Sequence, residues 1–382
     1  MKPLAARTSA IKPSATLELG NKVKQMKKSG IDVIDLGVGE PDFDTPQNIK
    51  DAAIKALNDG FTKYTPVAGL PELRQAIADK LKKDNGIGYS AGQVLVSCGA
   101  KDSLYNYTQT VVETKDEVIV FSPYWVSYIG QIRLAGGNPV VVNSVEGMAN
   151  AITPKTKAVI INSPNNPSGS VMGRKELEKI AGLAIESGIY VISDEIYEKF
   201  VYGSEHVSIA SLGKEIRDLT ITVNGFSKAY AMTGWRIGYA AAHEDVTKAA
   251  LNIQNHTTSG TNSIAQKAAL EAITGPQDSV EAMGKEFEKR RDFVVKRLDE
   301  MGIDIDKPKG AFYVFPDVSG FFGKGAKNSA EFSAQLLEKN LVATVPGAEF
   351  GDGKRIRISY AASVVNLEKA MDRLEKFLKP LK

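Results

Sequence analysis

From about residue 46, short runs of β-branched residues alternate with stretches whose apolar positions recur every three or four residues. The runs are Val94–Ser97, Val118–Phe121, Pro139–Val142, Ala158–Ile161, Tyr190–Ser193, Leu219–Val223 and Ile237–Ala241, and each reads as a strand. Between them the periodicity predicts helices over Asp51–Leu57, Pro71–Lys83, Lys101–Val112 and Arg174–Glu186. The strand runs are continuously apolar, as expected when both faces of a sheet are covered, and their alternation with helices implies a mostly parallel sheet. The pattern predicts a doubly wound α/β unit.

After Pro276 the texture changes. A long charged helix is predicted from Asp278 to Met301, followed by a shorter α/β series: Ala311–Phe315, Ser329–Lys339, Leu341–Val345, Arg355–Ser359 and Asn366–Leu378. A chain of 382 residues exceeds one comfortable core. The expected organisation is an N-terminal arm over 1–45 that joins a small domain, a large domain over 46–277, and the small C-terminal domain over 278–382 with its connecting helix. The segment after Val142 is short, as if a loop and a helical turn were missing.

Charge adds mainly exclusions. The 48 basic and 45 acidic residues are interspersed and leave a net charge of +3, which makes no case for nucleic acid or an anionic membrane. No apolar stretch has signal-peptide or transmembrane character. One cysteine, Cys98, allows no disulfide within the chain, and a cytoplasmic protein is expected. The three histidines, His206, His243 and His256, lack metal-binding spacing, so no metal site is expected. Cys98 has no histidine in a suitable local motif and reads as a small buried hydrophobe.

In open α/β sheets, ligands sit beyond the C-terminal ends of the strands. Polar and aromatic residues gather there: Gly99-Ala100-Lys101, Pro123-Tyr124-Trp125, Asn162 to Pro167, Asp194 to Tyr197, and Gly225 to Lys228. A carboxylate at the end of a buried strand, Asp194, needs a cation or several donors. Tyr197, three residues on, shares its side if a helical turn begins there. Lys228 is a nucleophile able to form an imine if a nearby cation lowers its proton affinity. The fork of Arg236 suits phosphate or carboxylate, and the main-chain N–H groups at Gly99-Ala100 make an anion site where a helix opens. Trp125 offers a face for a flat ring. Singly, each has an ordinary reading: a capping acid, a half-buried tyrosine, a solvated lysine, a surface ion pair, a core tryptophan.

The ordered set is more specific. Asn162-Ser-Pro-Asn-Asn-Pro-Ser-Gly169, Ser193-Asp-Glu-Ile-Tyr197, Phe226-Ser-Lys228 and Gly234-Trp-Arg-Ile-Gly238 resemble the class I/II aminotransferases of fold type I. Lys12-Pro-Ser-Ala-Thr16, Gly39-Glu-Pro-Asp-Phe-Asp-Thr-Pro46, Lys63-Tyr-Thr-Pro66 with Gly69, Ser122-Pro-Tyr-Trp-Val-Ser-Tyr128 and Arg357-Ile-Ser-Tyr-Ala361 resemble their bacterial aspartate/prephenate subgroup. The resemblance spans nearly the whole chain. It implies a large domain with a mostly parallel seven-stranded sheet plus a smaller α/β domain, and pyridoxal 5'-phosphate as cofactor.

It also implies roles. Lys228 would carry the cofactor as a Schiff base and then act as general base. Asp194 would pair with the pyridinium nitrogen. Tyr197 and Asn166 would bond the phenolic oxygen, and Trp125 would stack on the ring. Gly99, Ala100, Lys101, Ser227 and Arg236 belong to the cofactor set, with Tyr64 reaching the phosphate of a neighbouring subunit in a homodimer with shared sites. Arg357 would clamp the substrate α-carboxylate with help from the Gly39 backbone, Trp125 and Asn166. Gly225 stands where many relatives carry a phosphate-binding hydroxyl.

The implied reaction moves the amino group of L-aspartate to 2-oxoglutarate by a ping-pong cycle, with amino acids and 2-oxo acids as partners. Lys101 and Thr16 match positions that recognise a distal carboxylate, and Lys12 extends this to prephenate. Trp125 and Tyr128 also suit rings, which keeps an aromatic or alanine-type aminotransferase open. A β-lyase of the same fold is a further alternative. A nucleotide-binding oxidoreductase lacks its glycine fingerprint: Gly37-Val38-Gly39 leads to Asp42 where the third glycine belongs. A non-catalytic regulator has no appended DNA-binding domain to support it.

Overall fold

The computed structural model describes residues 2–9, 11 and 15–381. Seven strands form one sheet: β1 (Val94–Ser97), β2 (Glu117–Phe121), β3 (Asn138–Val142), β4 (Thr156–Asn162), β5 (Tyr190–Asp194), β6 (Thr220–Gly225) and β7 (Gly238–Ala241). Their order is β1-β7-β6-β5-β4-β2-β3. All pairings are parallel except those of β7, which runs antiparallel to both β1 and β6. The seven predicted runs thus became the seven strands of this sheet, shifted by a residue or two at their ends.

The sheet is buried on both sides because successive residues feed different cores. Ile160, Ile192, Ile221 and Val223 pack with Leu104 and Tyr107 of the helix Ala100–Val111. Their neighbours Val159, Ile161 and Val191 pack with Leu177, Ile180 and Ala184 of the helix Arg174–Ser187. This explains the unbroken apolar runs: a strand covered on both faces has no polar phase. Between β3 and β4 the short segment closes as a seven-residue helix, Val145–Ala151, capped by Ser144, whose hydroxyl accepts from the Gly147 N–H. Val145 and Met148 bury against Val142 and Ile119, so no gap follows from its brevity.

A second core gathers Phe287, Val294 and Leu298 of the helix Asp278–Glu300 with Phe312, Phe332, Leu336, Ile356, Leu367 and Met371. Tyr313–Val314, Ile356–Ser359 and Val345–Pro346 form a three-stranded antiparallel sheet beside it. Ile34–Asp35 pairs in parallel with Val342–Ala343, which ties the N-terminal chain to this core. Ile196, Tyr197 and Phe200, in the turn after β5, belong to the same cluster. The C-terminal end of the large sheet therefore abuts the second core. Sequence pattern missed the helices Ala15–Lys28, Glu244–His256 and Ser263–Thr274. The first buries Val23 with Val33, Leu337 and Ala343, and its Leu19 also packs against Phe315, Val345 and Phe350. Among the described residues no helix is long and apolar enough to cross a membrane.

Candidate active site

A cavity of 420 Å³ opens where the strand ends meet the second core. Of the residues singled out in the sequence, Gly39, Ala100, Lys101, Trp125, Asn166, Asp194, Tyr197, Ser227, Lys228, Arg236 and Arg357 line it. Gly99 lies just behind, against Arg236. Tyr64 is 98% exposed and stands outside its own cavity. Lys12 and the side chain of Thr16 lie outside the described residues.

Asp194 ends β5 and is 4% exposed. Its Oδ2 accepts from the Tyr128 hydroxyl at 2.7 Å and its Oδ1 from the Ile196 N–H at 3.3 Å. Among the described residues it forms no ion pair, and burial pushes its carboxyl up to about 6 against the help of those two donors. Relative to an ordinary carboxyl, its ionised form is therefore disfavoured by about 3 kcal/mol. A carboxylate held at such a cost, facing a cavity, is poised for a cation. The expected turn follows: Glu198 N–H donates to Glu195 O and Phe200 N–H to Tyr197 O, which turns Tyr197 to the same cavity.

Tyr128, which together with Trp125 also suits rings, lines the cavity. It is 2% exposed and its hydroxyl is engaged by Asp194. The helix Ser127–Leu134, unforeseen in the sequence, carries it there one turn after Trp125, with which it stacks edge to face. Tyr313 was also missed. Its hydroxyl bonds that of Tyr197 at 2.8 Å, and its ring lies under the Arg357 guanidinium at 4.5 Å. Neither role has a sequence signal beyond an aromatic residue in a predicted element.

Lys228 reaches the cavity from the loop after β6 and donates to the Gly39 carbonyl. Its ammonium is held down to about 8, first by burial, with Arg357 and Arg236 adding to it and Glu40 and Asp194 opposing. Neighbouring cations, expected from the sequence to lower its proton affinity, do so less than desolvation. Gly225, in β6, is a packing site: a Cβ there would lie 2.9 Å from Gly238 Cα, so no hydroxyl-bearing residue fits.

Arg236 adopts a left-handed backbone, φ 53°, and its Nη2 donates to the Cys98 carbonyl at 3.4 Å. A Cβ on Gly99 would meet that Nη2 at 2.7 Å, and Gly99 itself has φ 88°. Glycine is thus required for the guanidinium to lie at the start of the helix Ala100–Val111, where free main-chain N–H groups and a fixed cation make an anion cradle. Lys101, in the first turn, holds its amine 4.8 Å over the Trp125 ring and loses proton affinity to burial and Arg236. Cys98 is half-exposed, against expectation, with its sulfur 3.7 Å from the Gly260 carbonyl.

Arg357 is buried in the strand Ile356–Ser359. Its Nη1 donates to Asn166 Oδ1 at 3.0 Å and its Nη2 to the Gly37 carbonyl at 2.6 Å. Tyr313 and Phe350 sandwich the cation, and its buried Nε has no partner among the described residues. The Gly39 carbonyl meets Lys228, and the Gly37 carbonyl orients the arginine.

The chain resembles known proteins over nearly its whole length. The family model "Aminotransferase class I and II" matches residues 31–374. The chain is 49% identical to the aspartate aminotransferase of Bacillus sp. (strain YM-2), covering 98% of this chain and 99% of that one. It is 43% identical to the aspartate/prephenate aminotransferase of Thermus thermophilus, over 99% of each chain. The structure of Thermus thermophilus aspartate aminotransferase with maleate superposes with a TM-score of 0.95 at 42% identity, covering 98% of this chain and 100% of that one.

Proposed function

The chain belongs to the class I and II aminotransferases, and from that premise we propose that it transfers the amino group of L-aspartate to 2-oxoglutarate with pyridoxal 5'-phosphate as cofactor. The observation that carries the cofactor reading is that Asp194, which has no ion pair among the described residues, lines one cavity with a half-buried Lys228 of lowered proton affinity, with the Gly99–Arg236 cradle at its edge. The donor set fits a group with a cationic ring nitrogen, an aldehyde and a phosphate. Bound there, the cofactor would supply an aldehyde that takes up the amino group and a protonated pyridine ring that draws electrons from the substrate Cα.

The side chains divide the work. Asp194 would hold the ring proton, kept anionic by Tyr128 and the Ile196 N–H. Neutral Lys228 Nζ would move a proton from the substrate Cα, a task that a lowered proton affinity favours. Trp125 would cover the ring and Tyr197 and Asn166 its phenolic oxygen. Ala100, Ser227 and Arg236 would hold the phosphate. Arg357 would bind the α-carboxylate, its rings and Asn166 limiting its motion so that the breaking bond is aligned. The same reading takes the chain as a homodimer, with the exposed Tyr64 reaching the neighbour's phosphate. It divides the chain into an arm, a large domain and a small domain at residues 46 and 278.

Acidic specificity rests on Lys101, with Thr16 and, for prephenate, Lys12. The structural relative solved with maleate, a dicarboxylate, supports this choice. A donor and acceptor panel of aspartate, alanine, aromatic amino acids, 2-oxoglutarate and prephenate tests it. Lys101→Ala is expected to lower kcat/KM for aspartate by about 10- to 100-fold, the loss of a charged hydrogen bond, and to leave alanine within about threefold. An equal fall for both donors refutes the substrate reading. Release of pyruvate from a sulfur amino acid in the same panel would instead favour a lyase.

A second expectation concerns Tyr128. Its hydroxyl lowers the proton affinity of Asp194. Tyr128→Phe removes that donor and keeps the ring, so the free carboxyl titrates higher still. The pH below which pyridoxal phosphate affinity falls should rise by about one unit. An affinity profile that does not move would show the hydroxyl to be a spectator.

A further inference from the structure

In the turn Asp194-Glu195-Ile196-Tyr197-Glu198, Asp194, Ile196 and Tyr197 line the cavity, whereas Glu195 and Glu198 do not. Both glutamates are buried on the other side, where the mechanism uses neither. Glu195 Oε1 accepts from the hydroxyls of Ser193 at 2.8 Å and Ser208 at 2.7 Å, and its Oε2 lies 3.1 Å from His206 Nε2. Glu198 accepts from Asn85 Nδ2 at 2.6 Å and from Lys80 Nζ, both carried by the helix Pro71–Asn85. Glu195, Glu198 and His206 bring their ligand atoms within 4.8 Å of one another. The donors just named already engage both carboxylates, so the cluster is an acid–base layer and not a cation site.

We infer that His206, acting through Glu195, is a positioning residue for Asp194: the pair anchors the turn from behind and sets how strongly Asp194 holds its negative charge. This rests on the reading of Asp194 as the partner of the cofactor's ring nitrogen.

Charges balance here at short range. Glu195 is the chain neighbour of Asp194, and its carboxylate raises the proton affinity of Asp194. Left alone, it would oppose the anion the reaction needs. His206 sits on the far oxygen of Glu195. Burial lowers its proton affinity, but Glu195 and Glu198 outweigh burial and Lys80, and the net shift is upward. Protonated, His206 offsets Glu195 and spares Asp194 the repulsion. Glu198 is not free to take this part: despite burial, Lys80, His206 and Asn85 hold it down to about 2. The phenols of Tyr89 and Tyr239 border the layer, Arg217 and Asp84 add weaker fields, and Tyr128, Tyr197 and Lys228 face Asp194 itself.

The test measures the dissociation constant of pyridoxal phosphate from the holoenzyme against pH, by equilibrium titration of its visible absorption. Affinity falls once the free Asp194 carboxyl is protonated. Glu195→Gln keeps an acceptor for both serines and removes the charge, so the fall should move to lower pH by about one unit. His206→Gln leaves Glu195 uncompensated, and the fall should move the other way by a similar amount. The double variant should match Glu195→Gln, because His206 then has nothing to act through. Shifts of both single variants in the same direction, or no shift in either, overturn the inference. A role in packing alone predicts that outcome.

In case a variant does not fold, nitrogen NMR of the histidines in the wild-type holoenzyme serves as well. The His206 midpoint should lie above about 6.5, and a midpoint at or below that value also overturns the inference. Failure of the cofactor reading itself would look different: the purified protein would bind no pyridoxal phosphate, and no affinity profile would exist to shift.

Discussion

Lys228→Ala is expected to lower turnover with aspartate and 2-oxoglutarate by about 10⁴-fold, the upper range for loss of a positioned acid–base group. No other described side chain places an amine of so lowered proton affinity at this point of the cavity. The nearest alternative, Lys101, lies over Trp125 in the first turn of the helix Ala100–Val111. Borohydride treatment should fix a pyridoxyl group on the wild-type peptide that carries Lys228 and leave the variant unlabelled. The fold should not suffer. An ammonium held down to about 8 is disfavoured by its surroundings, by up to about 3 kcal/mol at neutral pH, and its partial exposure makes that an upper value. The sign follows from linkage: the depressed pKa penalises the wild type below pH 8, and the penalty fades as pH rises towards the ordinary lysine range. The cofactor-free variant should therefore melt no lower than the cofactor-free wild type at pH 7, and the wild type should gain on it above pH 8. Retained turnover, or labelling of a different peptide, would remove Lys228 from the mechanism.

Asp194→Asn should separate activity from stability in a second way. The amide keeps the shape and can still accept from Tyr128, but it holds no proton on a ring nitrogen. An opposite charge at this range is worth one to three pH units, so turnover should fall by about 10- to 10³-fold and cofactor affinity with it. The cofactor-free variant should nevertheless be more stable at pH 7. A carboxyl pushed up to about 6 costs stability as pH rises from the ordinary carboxylate range through that value, and the amide escapes this. The advantage, about 3 kcal/mol at most, should vanish below about pH 4. Thermal unfolding across that range reads it directly. A variant that loses stability at pH 7, or one that keeps its turnover, contradicts the role given to this carboxylate.

Much of this was legible along the chain because it is local. Seven apolar runs of strand length gave seven strands, but an apolar run looks the same in either direction, so the antiparallel course of Ile237–Ala241 was not legible. The residues just past those runs became the cavity wall because a parallel sheet brings its strand ends to one edge. The helix Ala15–Lys28 escaped notice because its helical pattern is diluted by charge and its apolar face is completed by Val33, Leu337 and Ala343, far away in sequence.

By itself the sequence determined the alternation of strand and helix, the charge-poor character of the sheet, and the ordered motifs that name the chemistry. Each is a property of neighbouring residues, and backbone geometry converts it to structure with little outside help. Only the tertiary structure decided that the Tyr128 hydroxyl meets Asp194, that Gly37 and Tyr313 hold Arg357, that burial more than any cation lowers the proton affinity of Lys228, and that Glu195 meets His206. Desolvation and hydrogen bonding between distant segments depend on which atoms exclude water from which, and that is settled when the second core closes on the strand ends.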